Sequence, residues 1–133
     1  MEGVLYIPLV RIDLLDGKSA DFKTQLGELV HEAMLETISI PEEDKFQVIN
    51  DVKSEELVFS TNYLGIDRTE GVVFIQITMN EGRTTEVKKA LYKTIADKLN
   101  SQLEIRKEDV LINLIEVNKE NWSFGNGIGQ YAE

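Results

Sequence analysis

The amino-acid sequence predicts an α+β domain assembled from two tandem β-α-β units, with a mixed four-stranded sheet and two helices on one of its faces. Three observations carry this prediction. Residues 8–50 align with residues 73–115 without a gap, sixty-five positions apart. Within each segment the apolar residues pass from a period of two to a step of four, as expected where a strand gives way to a helix. Between the two patterns each copy carries the same turn-and-cap chemistry, Asp16-Gly17-Lys18-Ser19 in the first and Glu81-Gly82-Arg83-Thr84 in the second.

Each element can be justified in turn. Val10, Ile12 and Leu14 coincide with Ile75, Ile77 and Met79, an alternation that buries one face of a strand. The glycine supplies a turn, and the hydroxyl residue after the base suits an N-cap. Phe22, Leu26, Val30, Met34 and Ile38 coincide with Val87, Leu91, Ile95, Leu99 and Leu103. Steps of four place each set along one helix face. Ile40, Glu43 and Asp44 then match Ile105, Glu108 and Asp109, and second strands close the copies at Phe46–Asn50 and Leu111–Val117. A strand, a helix and a second strand imply a right-handed crossover between parallel strands. Leu9 and Phe74 fall on the opposite parity of their strands, so the far face of the sheet is also apolar, and oligomerisation is its simplest cover.

A single domain spans residues 1–133 in this reading. Repeat one is 8–50, an irregular connector is 51–71, repeat two is 73–115 and a tail is 118–133. The connector is rich in turn formers (Asn62, Gly65, Gly71), and the tail holds Trp122-Ser123-Phe124-Gly125-Asn126-Gly127, which belongs to neither copy. Residues 1–7 form an N-terminal extension. Val4, Tyr6 and Pro8 alternate there with Leu5, Ile7 and Leu9, so the extension is able to prolong the first strand.

Composition bounds the function. With 42% hydrophobic and 29% charged residues the chain reads as soluble and globular. No apolar run reaches the roughly eighteen residues of a membrane span, and Met1-Glu2-Gly3-Val4 lacks the flank of a secretory signal. The chain has no cysteine, which removes disulfide and thiolate chemistry and fits a cytoplasmic location. A net charge of −10 argues against nucleic acid. A small anion can still bind where cations gather, and the arginines available are Arg11, Arg68, Arg83 and Arg106. The only histidine, His31, falls one position past the stripe residue Val30 and reads as a structural helix residue. One histidine among scattered carboxylates gives no metal site. Gly125–Gly129 lacks the strand-loop-helix setting of a phosphate cradle.

A strand that begins with proline, a tandem β-α-β duplication and a base at the second strand-helix turn resemble the tautomerase superfamily. The stretches Ile40-Pro41-Glu42-Glu43-Asp44-Lys45-Phe46-Gln47 and Asn121-Trp122-Ser123-Phe124-Gly125-Asn126-Gly127 are similar to its malonate semialdehyde decarboxylase branch, and the resemblance runs from Pro8 to Tyr131. It implies a homotrimer with an active site at the start of the first strand, acting without a cofactor on a small anionic oxo acid. It further implies catalysis by an amino-terminal proline, whose secondary amine shuttles a proton between carbon and oxygen in keto-enol tautomerisation. In the decarboxylase branch that amine, as ammonium or imine, polarises a carbonyl. Carried onto this sequence, the resemblance makes Pro8, Asp44 and Arg83 catalytic. Arg83 also binds the substrate carboxylate, and Trp122, Phe124 and Tyr131 form an apolar wall over the pocket.

Elementary chemistry supports such an assignment and sets its conditions. An α-amine titrates near ~7.7–8.0, and an apolar pocket with a neighbouring cation lowers that value toward neutrality. A guanidinium grips a carboxylate through two parallel hydrogen bonds. Seven residues precede Pro8, however, and an amide nitrogen has neither a basic lone pair nor a proton. The enzyme reading therefore requires a chain that begins at Pro8. The alternative is a catalytically silent trimer that binds or scaffolds, with Pro8 bordering a strand. The repeat supplies a control for each candidate. Pro8 faces Val73, so the architecture does not demand the proline, whereas Arg83 faces Lys18 and Asp44 faces Asp109. A base before a helix is disfavoured by ~0.3–1 kcal/mol, which gives Arg83 a reason beyond surface charge. Asn80-Glu81-Gly82-Arg83 supplies one arginine where the decarboxylase pattern has two, so tautomerisation is the simpler expectation.

Overall fold

The computed structural model describes residues 8–132, and the reading of residues 1–7 as a strand extension lies outside them. The chain forms β1 (Leu9–Leu15), α1 (Ala20–Thr37), β2 (Phe46–Val52), the short strands β3 (Asn62–Tyr63) and β4 (Ile66–Asp67), β5 (Val73–Asn80), α2 (Thr85–Leu103) and β6 (Val110–Val117). The main sheet has the order β2-β1-β5-β6. Its outer pairs are parallel and its central pair antiparallel. This is the α+β arrangement of two β-α-β units that the repeat predicts.

The copies agree in register as well as in topology. Leu9 pairs with Phe46 and Val73 with Val110, so the crossover carries the chain forward by the same thirty-seven positions each time. In the central pair Val10 lies opposite Ile77 and Ile12 opposite Ile75. A local two-fold axis therefore passes through the Arg11–Gln76 pair. The turns match too. Gly17 and Gly82 both hold positive φ, at 113° and 126°, which glycine adopts without a Cβ penalty. Ser19 Oγ accepts from Phe22 N at 3.0 Å and Thr84 Oγ1 from Val87 N at 3.2 Å, capping the two helices. The helix-to-strand ion pairs Lys23–Asp51 (2.9 Å) and Lys88–Glu116 (3.0 Å) are likewise one pair repeated.

One core holds both copies. Val10, Ile12 and Leu14 from β1 and Ile75, Ile77 and Met79 from β5 pack beneath Leu26, Val30 and Met34 of α1 and Leu91, Ile95 and Leu99 of α2. The opposite sheet face carries Leu9, Phe46, Val48, Leu111 and Ile115 as exposed apolar side chains. Among the described residues no helix is long and apolar enough to cross a membrane.

The connector is a correction to the sequence reading. It is not wholly irregular: a 3-10 turn at Ser54–Glu56 precedes the β3–β4 hairpin. Its two-residue turn is Leu64-Gly65, with φ of 57° and 75°, and positive φ at both positions is what a tight hairpin requires. The first of these is a leucine, so the usual Asn-Gly signal is missing.

Leu91 is fully buried between the helices and the sheet. Leu91→Ala should lower unfolding stability by about 2–5 kcal/mol, read as a lower denaturant midpoint at an unchanged slope.

Candidate active site

Strand register decides what meets at the sheet's end. Pro8 immediately precedes the Leu9–Thr78 pair, and Asp44 stands two residues before Phe46, the partner of Leu9 on β2. Because β5 runs antiparallel to β1, the C-terminal ends of β5 and β6 come to this same end, where Asn80 pairs with Val117. The Arg83 turn and the tail that starts at Asn118 follow directly. Pro8, Asp44, Arg83 and Trp122 thus gather at one end of the sheet although the sequence spreads them over more than a hundred positions.

Arg83 is half-buried, and its Nη1 donates to the Asn80 carbonyl at 3.1 Å. Burial pulls its pKa below the ordinary guanidinium value, while the charges of Glu116 and Asp44 act in the opposite sense. An arginine remains cationic under such a shift. The group therefore offers a partly dehydrated positive charge in the field of two acids. Asp44 is buried, in a turn closed by its own backbone N–H on the Pro41 carbonyl at 3.0 Å. Pro8 is buried as well.

The tail forms one compact aromatic unit. Trp122 and Phe124 stack with ring centroids 5.4 Å apart, and Phe124 meets Tyr131 edge-on at 6.0 Å. The loop between them is clasped by Gln130, whose Oε1 accepts from Phe124 N at 2.9 Å and whose Nε2 donates to the Gly125 carbonyl at 3.2 Å. The Trp122 indole N–H donates to Asn80 Oδ1 at 2.7 Å, fixing the aromatic unit to the end of β5. Asn80 is 2% exposed. It therefore holds the arginine through its backbone and the tryptophan through its side chain.

Asn80, Glu116 and Gln130 are the residues that sequence reasoning missed. The repeat held a signal for the first: Asn80 stands where copy one has Leu15, an amide replacing an aliphatic at the end of an equivalent strand. Glu116 has Asp51 as its counterpart, so nothing marked it. Among the described residues no group of three His, Cys, Asp or Glu side chains could hold a metal ion.

The opposite end of the sheet carries the other copy's version of this arrangement. A cavity of about 230 Å³ is lined there by Val73, Lys18 and Asp109 together with Leu14, Phe22 and Leu103. The first three are the counterparts of Pro8, Arg83 and Asp44. Asp109 is committed to structure: it accepts from Thr69 N at 2.7 Å and from Thr69 Oγ1, and it pairs with Arg106 at 3.4 Å.

Replacing Asn80 by Ala leaves the indole N–H of Trp122 without its acceptor, a loss of about 1–3 kcal/mol. Trp122 is the only tryptophan, so its emission should shift to the red in Asn80→Ala; unchanged emission would show that the tail is held by other means.

Comparison with known proteins bears on what this arrangement belongs to. A family model described as tautomerase enzyme matches residues 44–125, and a second with the same description matches residues 8–66. The chain is 42% identical over 127 residues to the probable tautomerase YusQ of Bacillus subtilis (strain 168), an alignment covering 96% of this chain and 100% of that protein. A solved malonate semialdehyde decarboxylase, described with decarboxylase and hydratase activities, is 27% identical at a TM-score of 0.86, covering 93% of this chain and 95% of its own. The FG41 malonate semialdehyde decarboxylase inhibited by 3-bromopropiolate is 31% identical at a TM-score of 0.86, covering 93% and 94%. In sequence and in architecture alike, the chain belongs to the tautomerase family.

Proposed function

We propose that the protein is an oxo-acid tautomerase whose acid–base group is the secondary amine of Pro8, in a chain that begins at that residue. The observation that carries this reading is the gathering of Pro8, Asp44 and Arg83 at one end of the sheet, with Arg83 half-buried in the field of Asp44. Arg83 binds the substrate carboxylate and fixes its orientation. The neutral amine takes the proton from the enol hydroxyl, and the ammonium so formed delivers a proton to the adjacent carbon, leaving the ketone and the free amine. Asp44 supports the arginine and orients polar groups near the carbonyl. Trp122, Phe124 and Tyr131 keep water from the site, which favours the neutral amine.

Three copies of the chain cover the open sheet face, where Leu9, Phe46, Val48, Leu111 and Ile115 are exposed. Similarity to two malonate semialdehyde decarboxylases brings decarboxylation and hydration into the set of reactions to assay. The single arginine of the Asn80–Arg83 turn favours tautomerisation among them. A second reading has its own observation: with seven residues ahead of it, Pro8 has an amide nitrogen, and in that form the protein is a silent member of its family.

Two preparations separate these readings, one of the full chain and one beginning at Pro8, each assayed for enol-to-ketone conversion of phenylpyruvate. The form beginning at Pro8 should turn over substrate and the full chain should not; buffer-rate conversion by both would contradict the proline mechanism. In the active form Arg83→Ala should raise KM by roughly tenfold or more, since it removes charge-assisted hydrogen bonds to the carboxylate. An unchanged KM would take Arg83 out of the site.

A further inference from the structure

His31 is a buried, titratable side chain that the proposed chemistry does not use. It lies on the sheet-facing side of α1 at 5% exposure, and its Nε2 is 2.9 Å from the Glu42 carbonyl oxygen. A carbonyl only accepts, so Nε2 carries the proton and donates. Nδ1 is also buried and has no hydrogen-bond partner among the described residues. A lone pair is tolerated there far better than an N–H, so the geometry favours the tautomer with its hydrogen on Nε2.

The carbonyl it grips belongs to the turn that presents Asp44. That turn is closed between Asp44 N and Pro41 O at 3.0 Å and continues through Lys45 N to Glu43 O at 2.9 Å. Glu42 is the residue between the two closures, so a bond at its carbonyl fixes the turn against α1. Repeat two builds the same turn, with Asp109 N donating to the Arg106 carbonyl at 2.9 Å, but alanine, Ala96, stands in the place of His31. There the acid is gripped by Thr69 and Arg106. The fold therefore builds this turn without an imidazole, and the imidazole occurs in the copy whose acid acts on Arg83.

We infer that His31 is a positioning residue: through the Glu42 carbonyl it holds the Pro41–Lys45 turn so that the Asp44 carboxylate stays within the field of Arg83. Its effect on turnover rests on the tautomerase reading above, whereas its effect on Asp44 does not.

Two variants of the full chain test this. His31→Leu keeps the buried volume but removes the donor, and His31→Gln retains an N–H able to reach the carbonyl. Amide hydrogen exchange across residues 41–45 and the titration of the Asp44 carboxyl carbon by ¹³C NMR are read in both. In His31→Leu the turn should exchange faster, and the Asp44 midpoint should move upward as the carboxylate drifts from the cation. His31→Gln should restore both toward the parent values. Nitrogen NMR of the parent imidazole should find the proton on Nε2, a measurement that stands even where a variant fails to fold. A proton on Nδ1, or an Asp44 midpoint and turn exchange unchanged in His31→Leu, would overturn the inference. In whichever form turns over substrate, kcat/KM should fall on the order of tenfold to a hundredfold in His31→Leu, with Gln rescuing it. A parent without turnover would sink the tautomerase reading and leave the NMR result to decide the role of His31.

Discussion

The antiparallel seam between β1 and β5 is the constraint from which the rest of the structure follows. Each β-α-β unit alone is a parallel pair with one helix, too small to bury its own apolar face. Pairing Val10 with Ile77 and Ile12 with Ile75 joins the two units edge to edge and lets four strands and two helices share one core. The same pairing sets the units in opposite directions. The beginning of the first strand therefore lies beside the end of the third long strand, and neither copy completes the site by itself. Pro8 and Asp44 come from repeat one. Asn80 and Arg83 come from repeat two, with Glu116 and Trp122 just beyond it.

A two-fold arrangement of this kind offers two such ends, and the chain has treated them differently. At one end an acid faces a half-buried arginine and an aromatic tail packs alongside. At the other, Lys18 lies over the Phe22 ring at 4.9 Å and Asp109 is locked to the connector through Thr69. Val73 stands there where Pro8 stands in the first copy, so no processing of the chain could expose a secondary amine at that position. The buried carboxylate is bound by Thr69 and Arg106 in one copy and lies in the field of Arg83 in the other. A shared scaffold thus carries different partners for its acid at the two ends.

Much of this was legible in the sequence because it is periodic. The strand parity, the helix stripes, Ser19 and Thr84 as caps and the glycine turns all repeat, and a repeated pattern is strong evidence for a common local structure. Less legible were features that depend on a single long-range contact. Asn80 reads as one more turn residue until the indole of Trp122, forty-two positions later, is found on its side chain. His31 reads as a residue beside the stripe until the Glu42 carbonyl appears at its Nε2. The connector hairpin was missed because a leucine occupies a left-handed position usually signalled by asparagine or aspartate. Propensity speaks about neighbours in the chain and is silent about partners brought together by folding.

The central claim is that the end of the sheet around Pro8 makes a usable base of that residue's amine. Nitrogen NMR of protein labelled with ¹⁵N-proline and beginning at Pro8 tests this most directly. Pro8 and Pro41 are the only prolines, and the Pro41 nitrogen, an amide, serves as an internal reference that does not titrate. The Pro8 signal should titrate with a midpoint below the ~7.7–8.0 of an ordinary α-amine, because burial and the Arg83 charge disfavour the ammonium and together outweigh the Asp44 carboxylate, which favours it. A midpoint at or above that range would contradict the account, for the site would then do nothing to favour the neutral amine over an ordinary chain terminus.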